Sequence, residues 1–145
     1  MLNSIHIKDF AIIAQLDLDL QSGMTVITGE TGAGKSIVVD ALGFALGARA
    51  DSGVVRHGAK RAEISAVFDI SQLSLVQDWL EEQMLDEEQD CILRRVINHD
   101  GRSKAFVNGQ AVNLTQLSEL GDFLVDIHGQ HEHQSLFKPQ THLQL

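Results

Sequence analysis

Residues 29–36 have the types and spacing of a phosphate-binding loop, which is the clearest chemical signal in the chain. They fit the pattern G-x-x-x-x-G-K-[ST]. Glycines let such a backbone curl so that successive N–H groups point inward at phosphate oxygens. The lysine adds a positive charge at the phosphates, and the serine hydroxyl can bind Mg²⁺. The predicted nucleotide-binding residues are Gly29, Glu30, Thr31, Gly32, Ala33, Gly34, Lys35, Ser36 and Ile37.

The sequence on each side of this loop predicts the strand and the helix that position it. Residues 24–28 are apolar and β-branched, which is typical of a buried parallel strand. Apolar residues then recur at helical spacing across residues 37–46, and Gly47 supplies a stop. A helix that begins at the loop directs the positive end of its dipole at the phosphates. The segment therefore predicts a nucleoside triphosphate site.

A second polar segment, residues 128–134, contains three histidines, a glutamate and two glutamines. It follows residues 123–127, whose apolar run predicts a buried strand, and α/β proteins place binding groups just beyond such strands. Three interpretations are open. Gln130 can bind Mg²⁺ and orient water through its amide. Alternatively, His128, His131 and His133 bind zinc, or the segment is a solvated polar loop.

The remaining pattern predicts an α/β fold with a mixed sheet. Antiparallel strands are expected around the parallel strand at residues 24–28, which gives an α/β nucleotide-binding lobe. Tight turns are expected at Asp100-Gly101 and Asn108-Gly109. The predicted strands are 4–7, 10–14, 16–20, 62–70, 91–98 and 103–108. The predicted helices are 74–85 and a short one that reaches Leu120 and is ended by Gly121.

Composition indicates an ordinary globular domain of 145 residues, with 43% hydrophobic and 21% charged residues. No apolar run approaches the roughly 20 residues of a membrane span. The first residues lack the basic start and apolar middle of a signal peptide. Cys91 is the single cysteine, so no internal disulfide can form, which agrees with a reducing compartment. We expect a cytoplasmic protein.

The net charge of −9 argues against a broad nucleic-acid surface on this segment. The basic residues are nevertheless grouped in two stretches of sequence, where they can face the phosphates of ATP or DNA, or solvent. The first stretch holds Arg49, Arg56, Lys60 and Arg61, and the second holds Arg94, Arg95, Arg102 and Lys104.

The order of the motifs resembles the N-terminal part of the ATPase head of SMC-like proteins, an ABC-type ATPase family. Four segments carry the resemblance: residues 29–36, Asp40-Ala41-Leu42-Gly43-Phe44-Ala45-Leu46-Gly47, Asn108-Gly109, and Asp126-Ile127-His128-Gly129-Gln130-His131. It extends over residues 1–145, which we expect to form one N-terminal lobe with the Walker A loop and the Q-loop. It implies a P-loop NTPase fold with an antiparallel β subdomain, and ATP and Mg²⁺ as cofactors.

The resemblance also implies roles for particular residues. Lys35 matches the Walker A lysine and Gln130 matches the Q-loop glutamine, so both are implied catalytic residues. Ser36 and Gln130 are the implied metal ligands, which favours the magnesium interpretation of residues 128–134 over zinc. The candidates for an arginine that touches the phosphates in SMC heads are Arg49, Arg56 and Arg61.

The implied partners are the C-terminal half of the same head, a second copy joined through ATP-engaged heads, and DNA. In this family the C-terminal half supplies the signature motif, the Walker B aspartate and the catalytic glutamate. Two heads then close around two ATP molecules. The implied function is ATP hydrolysis in the repair and recombination of DNA double-strand breaks, by a nucleoid-associated cytoplasmic protein.

The sequence also departs from the complete family pattern. After Ser36 it contains no hydrophobic run that ends in Asp-Glu, and no Leu-Ser-Gly-Gly signature. Leu145 falls where the family's coiled coil would begin. We therefore expect half of an active site, which by itself hydrolyses ATP very slowly because it lacks the base that activates water. The alternative is a nucleotide- or metal-binding interaction module without turnover.

Overall fold

An antiparallel β-sheet is the frame on which the other elements pack. The computed structural model describes residues 2–20, 32–50, 52–87 and 90–136, with the backbone alone for residues 32–35 and 126–136. Within these residues six strands form one sheet in the order β2-β1-β3-β4-β5-β6. The strands are β1 Leu2–Phe10, β2 Ile13–Asp19, β3 Arg61–Asp69, β4 Asp90–Asn98, β5 Ser103–Val107 and β6 Gln110–Val112. The predicted parallel strand at residues 24–28 lies outside the described residues.

Three helices contact the sheet or each other. Helix α1 lies against β1, β3 and β4, helix α3 lies against β5, and helix α2 packs on α3. None of the helices in the described residues has the length and apolarity needed to cross a membrane. The helices are α1 Gly32–Ala45, α2 Ser74–Glu82 and α3 Leu114–Leu136, with a short 3₁₀ helix at Ser52–Val54.

The sheet has a buried inner face because residues alternate between its two sides. One inner row runs across the sheet through the paired residues Ile7, Ile64, Arg95 and Ala105. All four are buried, and Arg95 is the one charged residue among the buried residues described. The next row, on the outer face, is polar at Lys8, Glu63 and Lys104.

Both predicted tight turns are confirmed. Gly101 has φ 94° in the turn between β4 and β5, where the Gly101 N–H donates to the carbonyl oxygen of Asn98. Asn108 and Gly109 have φ 51° and 84° between β5 and β6, and two positive φ values define the type I′ hairpin turn that Asn-Gly favours. The dipeptides Asp100-Gly101 and Asn108-Gly109 were sufficient to predict these turns, because the conformation of each turn depends on two adjacent residues.

The predicted strand at residues 10–14 is wrong. β1 continues to Phe10, the chain turns at Ala11 and Ile12, and β2 begins at Ile13. Ala11 has φ 56°, a conformation that ends a strand, and Ile12 is 79% exposed in the turn. An apolar run was mistaken for a strand because its hydrophobicity gives no sign of the turn.

The predicted strand at residues 123–127 and the predicted helix end at Gly121 are also wrong, since α3 runs unbroken from Leu114 to Leu136. Its buried residues Leu117, Leu120 and Leu124 recur at intervals of three and four, which is the helical period. Gly121 is buried where two helices touch and does not end α3. The largely apolar run of residues 123–127 predicted a strand, but the helical spacing of Leu117, Leu120 and Leu124 decides the structure.

Candidate nucleotide-binding site

Helix α1 begins inside the predicted phosphate-binding loop. Its first residue is Gly32, and its first turn contains no acidic residue. The N–H groups of a first helical turn have no partner within the helix, so this end suits an anion. Gly29, Glu30 and Thr31 lie outside the described residues. For Gly32, Ala33, Gly34 and Lys35 the backbone is described.

The next two predicted residues have described side chains. Ser36 is exposed, so its hydroxyl is free to meet a ligand at this end of α1. Ile37 is half-buried and packs against the hydrophobic core. Its side chain therefore anchors the helix, and only its backbone is left to contact a nucleotide.

The body of α1 is fixed to the inner face of the sheet by apolar contacts. Ala41, Leu42 and Ala45 are buried. The ring of Phe44 meets the ring of Phe10 edge-on, with 5.8 Å between the ring centres and 62° between their planes. Burial on this scale makes α1 a rigid support for the residues at its N-terminal end.

The C-terminal end of α1 is closed by a Schellman motif. The Ala48 N–H donates to the Gly43 carbonyl over 3.1 Å, and the Gly47 N–H donates to the Phe44 carbonyl over 3.2 Å. Gly47 has φ 112°, a conformation that favours glycine. The stop predicted at Gly47 is therefore confirmed.

Arg95 binds this end of α1 from the sheet. Its Nη1 atom donates to the carbonyl oxygens of Phe44 and Ala48, each over 2.7 Å, and its Nη2 atom donates to the Ser103 hydroxyl over 3.3 Å. The residue is 1% exposed, and burial lowers the pKa of its guanidinium. Sequence reasoning did not identify this role, although the alternation of Leu93, Arg95 and Ile97 along β4 indicates an inward side chain.

Helix α3, which carries Gln130, meets the same end of α1. The Ser118 hydroxyl donates to the Gly47 carbonyl over 3.2 Å. A Cβ atom built on Gly121 would lie 2.1 Å from the Leu46 carbonyl oxygen, so only glycine fits there without movement. The Gln130 backbone lies in α3, and its side chain is outside the described part. Its contact with Mg²⁺ therefore stays a prediction.

The zinc interpretation of residues 128–134 concerns side chains outside the described part of the chain. His128, His131 and His133 lie in the helical backbone of α3, so the predicted polar loop is wrong at this point. Among the described residues no group of three or more His, Cys, Asp or Glu side chains has the arrangement of a metal site.

The structure brings the two basic stretches of sequence together at one end of the sheet. Arg61 pairs with Asn98 across β3 and β4, and the His99 N–H donates to the Lys60 carbonyl over 2.9 Å. We call the exposed residues Lys8, Lys60, Arg61 and Lys104 the basic end. Within the described residues, none of these four forms an ion pair.

Other basic residues have an acidic neighbour or follow the end of α1. Arg94 binds Glu63 over 3.0 Å and lies over the Phe106 ring at 5.2 Å from its centre. Arg56 lies 3.9 Å from Asp9. Arg49 is exposed and follows the end of α1 that is away from Ser36. Which of Arg49, Arg56 and Arg61 reaches the phosphates stays a prediction, because most of the phosphate loop lies outside the described residues.

The fold and the loop together define the class of protein. The profile of the AAA domain family matches residues 4–141, and the chain belongs to that family, for which nucleotide binding is typical. A solved chain from work on the ATP-driven dimerization and DNA-stimulated activation of SMC ATPases has a TM-score of 0.66 at 23% identity. That match covers 84% of this chain and 78% of the solved chain. It confirms the expected ATPase-head fold.

Two relatives are similar over the whole chain. The DNA repair protein RecN of Xylella fastidiosa is 54% identical over 145 residues, which are all of this chain and 26% of that protein. RecN of Vibrio cholerae is 52% identical, with the same coverage. The chain therefore corresponds to the N-terminal region of RecN and spans about a quarter of the length of these relatives.

Proposed function

We propose that this chain is the nucleotide-binding part of an SMC-like ATPase head that acts in the repair and recombination of DNA double-strand breaks. One observation carries the proposal: a phosphate-loop sequence runs into a helix that begins within the loop at Gly32 and is fixed on the sheet. Membership of the AAA domain family and the similarity to RecN support it. In this proposal ATP binding drives the engagement of two heads, and hydrolysis resets them.

The chain's own residues fit a triphosphate with Mg²⁺. The N–H groups of a first helical turn have no partner within the helix. The first turn of α1 has no acidic side chain to repel an anion, and Ser36 is exposed beside it. We assign phosphate binding to the backbone N–H groups of residues 30–35 and to Lys35. Ser36 and Gln130 would hold Mg²⁺, and Gln130 would orient the attacking water. When bound, Mg²⁺ would neutralise part of the negative charge of the phosphates.

The rest of the active site comes from partners in this proposal. The C-terminal half of the same head supplies the groups that this sequence lacks, and a second copy closes over the nucleotide. The solved SMC chain with the same fold belongs to work on ATP-driven dimerization, which supports this arrangement. The chain alone is then expected to bind ATP and to hydrolyse it very slowly.

We assign the DNA contact of this part of the protein to the basic end. Its four exposed residues are positively charged and form no ion pair within the described part of a chain whose net charge is −9. Phosphate contacts through Lys and Arg provide binding that does not depend on DNA sequence, which suits a repair protein.

Calorimetric titration of the chain with MgATP tests the proposal. Wild-type chain and Gln130→Ala should both bind, because Gln130 acts on the metal and the water more than on the phosphates. Lys35→Ala should lose the binding, because it removes the positive charge at the phosphates. In the full-length protein, Gln130→Ala should slow ATP turnover.

Two results would contradict these assignments. Tight MgATP binding by a folded Lys35→Ala variant would show that Lys35 is not a phosphate-binding residue. Unchanged turnover in Gln130→Ala would show that Gln130 acts on neither Mg²⁺ nor the attacking water, and that it is an ordinary solvated residue of α3.

A further inference from the structure

Arg95 makes contacts that go beyond those of a residue that fills the core. Its guanidinium donates to two carbonyls that flank the end of α1, Phe44 and Ala48, at 2.7 Å each. The planar fork of an arginine is suited to holding two acceptors in a fixed relation. These bonds therefore fix both the position and the direction of the helix end relative to β4.

The surroundings of Arg95 indicate why an arginine is needed there. Burying a charge costs stability unless polar groups compensate it. Within the described residues Arg95 has no carboxylate partner, and its Nε atom has no hydrogen-bond partner. Its compensation comes from carbonyls at the negative end of the α1 dipole. The guanidinium charge of Arg95 is thus stabilised only when the end of α1 places the carbonyls of Phe44 and Ala48 beside it.

We propose that Arg95 is a positioning residue for nucleotide binding, because it fixes the C-terminal end of α1, the helix whose N-terminal end holds Lys35 and Ser36. The inference rests on the proposed function. Helix α1 has 14 residues and is therefore about 21 Å long. A tilt of about 5° at the held end moves the other end by about 2 Å over that length. A displacement of this size is enough to weaken contacts with phosphates and metal.

The residues that follow the end of α1 also set the position of α3. Ser118 binds the Gly47 carbonyl, and Gly121 lies against Leu46, both within three residues of α1's last residue. β4, α1 and α3 therefore meet at residues 46–48. Through this junction Arg95 also sets the distance between the helix that begins at the phosphate loop and the helix that carries Gln130.

The test compares two adjacent arginines in the full-length protein, with MgATP as the ligand. Arg95→Lys keeps the charge but replaces the planar fork with a single ammonium group. Arg94→Lys is the matched control, since Arg94 is on the opposite face and binds Glu63. We expect Arg95→Lys to raise the Kd and the KM for MgATP about tenfold, and Arg94→Lys to change them less than about twofold.

The measurements are made well below the thermal midpoint of each variant, where the folded fraction is close to one. A residue that only adds stability would leave Kd and KM unchanged under these conditions. Hydrogen exchange of the amides in residues 32–36 provides a second readout, and we expect it to be faster in Arg95→Lys than in Arg94→Lys.

The possible results separate this inference from the proposed function. No MgATP binding by the wild-type protein would overturn both. Binding that is lost in Lys35→Ala but unchanged in folded Arg95→Lys would overturn the role of Arg95 alone. Arg95→Gln, which keeps one donor group, is the second variant. If neither Arg95 variant folds while Arg94→Lys does, Arg95 is a stability residue and the positioning role is wrong.

Discussion

Arg94 and Arg95 are adjacent and chemically identical, yet the strand gives them opposite surroundings. Side chains alternate across a sheet, so Arg94 lies on the outer face with Glu63 and Phe106, whereas Arg95 lies on the inner face under α1. Neither is a free cation. The sequence-based grouping with residues that face phosphates or solvent is therefore wrong for Arg95, whereas the Arg94 side chain is partly exposed and Lys104 in the same stretch is exposed.

Cys91 provides a test of packing at the level of one residue. Its side chain is 0% exposed, and burial, followed by the negative charge of Asp90, raises the pKa of its thiol to about 12. The thiolate is the reactive form, so at pH 8 only about one thiol in ten thousand is reactive. We expect folded protein to resist alkylation by iodoacetamide and urea-unfolded protein to react quickly, as measured by mass spectrometry over time.

Labelling of Cys91 at equal rates with and without urea would contradict its burial. Since Cys91 is the single cysteine of the chain, the labelled fraction reports on this strand alone.

At the scale of elements, two glycines in helices offer a matched pair of substitutions. Gly121→Ala puts a methyl group 2.1 Å from the Leu46 carbonyl oxygen, so α1 and α3 must separate. Gly43→Ala meets no described atom within 4 Å. We expect Gly121→Ala to lower the free energy of unfolding by about 1–3 kcal/mol. Gly43→Ala should raise it by up to about 1 kcal/mol, because alanine favours a helix.

Urea denaturation of both variants, followed by circular dichroism, measures this difference. Equal stability of Gly121→Ala and Gly43→Ala would show that α1 and α3 do not approach each other closely at Leu46. The pair is informative because both changes add the same methyl group to a helix.

The predicted strands 62–70, 91–98 and 103–108 agree with β3, β4 and β5, because their residue patterns are local, whereas contacts between distant residues were not predictable from the sequence. The Asp100-Gly101 and Asn108-Gly109 turns and the end of α1 at Gly47 follow from local backbone preferences. Residues 123–127 were misassigned because their helical state depends on packing along the full length of α3. The close contact of Gly121 with Leu46 joins residues 75 positions apart, and no local pattern indicates it.

The candidate site was predictable in part for the same reason. The phosphate-loop pattern is a continuous stretch, so its residues were identified together. The roles of Arg95 and Ser118 arise from the way that β4 and α3 meet the end of α1, which is tertiary information. Conversely, the assignments of Lys35 and Gln130 remain predictions from sequence, since neither side chain is described.

At the scale of the whole molecule, the four exposed residues of the basic end share one end of the described sheet in a protein of net charge −9. If the basic end contacts DNA, replacing Lys60 and Arg61 with alanine should weaken DNA binding by the full-length protein. It should also reduce the salt dependence, by roughly 0.9 in the slope of log K against log salt for each DNA phosphate that is no longer neutralised. Fluorescence anisotropy with labelled duplex DNA at several salt concentrations measures both quantities.

Arg94→Gln is the control for that experiment, because it removes a positive charge that Glu63 already neutralises. An unchanged slope in the Lys60/Arg61 variant would place the DNA contact elsewhere in the protein. An equal loss of affinity in the Arg94→Gln control would mean that total charge, and not the basic end, governs binding.

The strand order has a consequence for how this protein folds. Strands β3, β4, β5 and β6 pair with one another in chain order, and β1 pairs with β2. The pairing of β1 with β3, in contrast, spans an insertion that contains α1. Ile7 and Ile64 pair although they are 57 positions apart, so this pairing carries the largest loop-closure entropy in the sheet. Local hairpins form faster than such distant pairs. We therefore expect the four-strand meander to form first and the segment with the phosphate-loop sequence to become ordered last, when β1 closes onto β3.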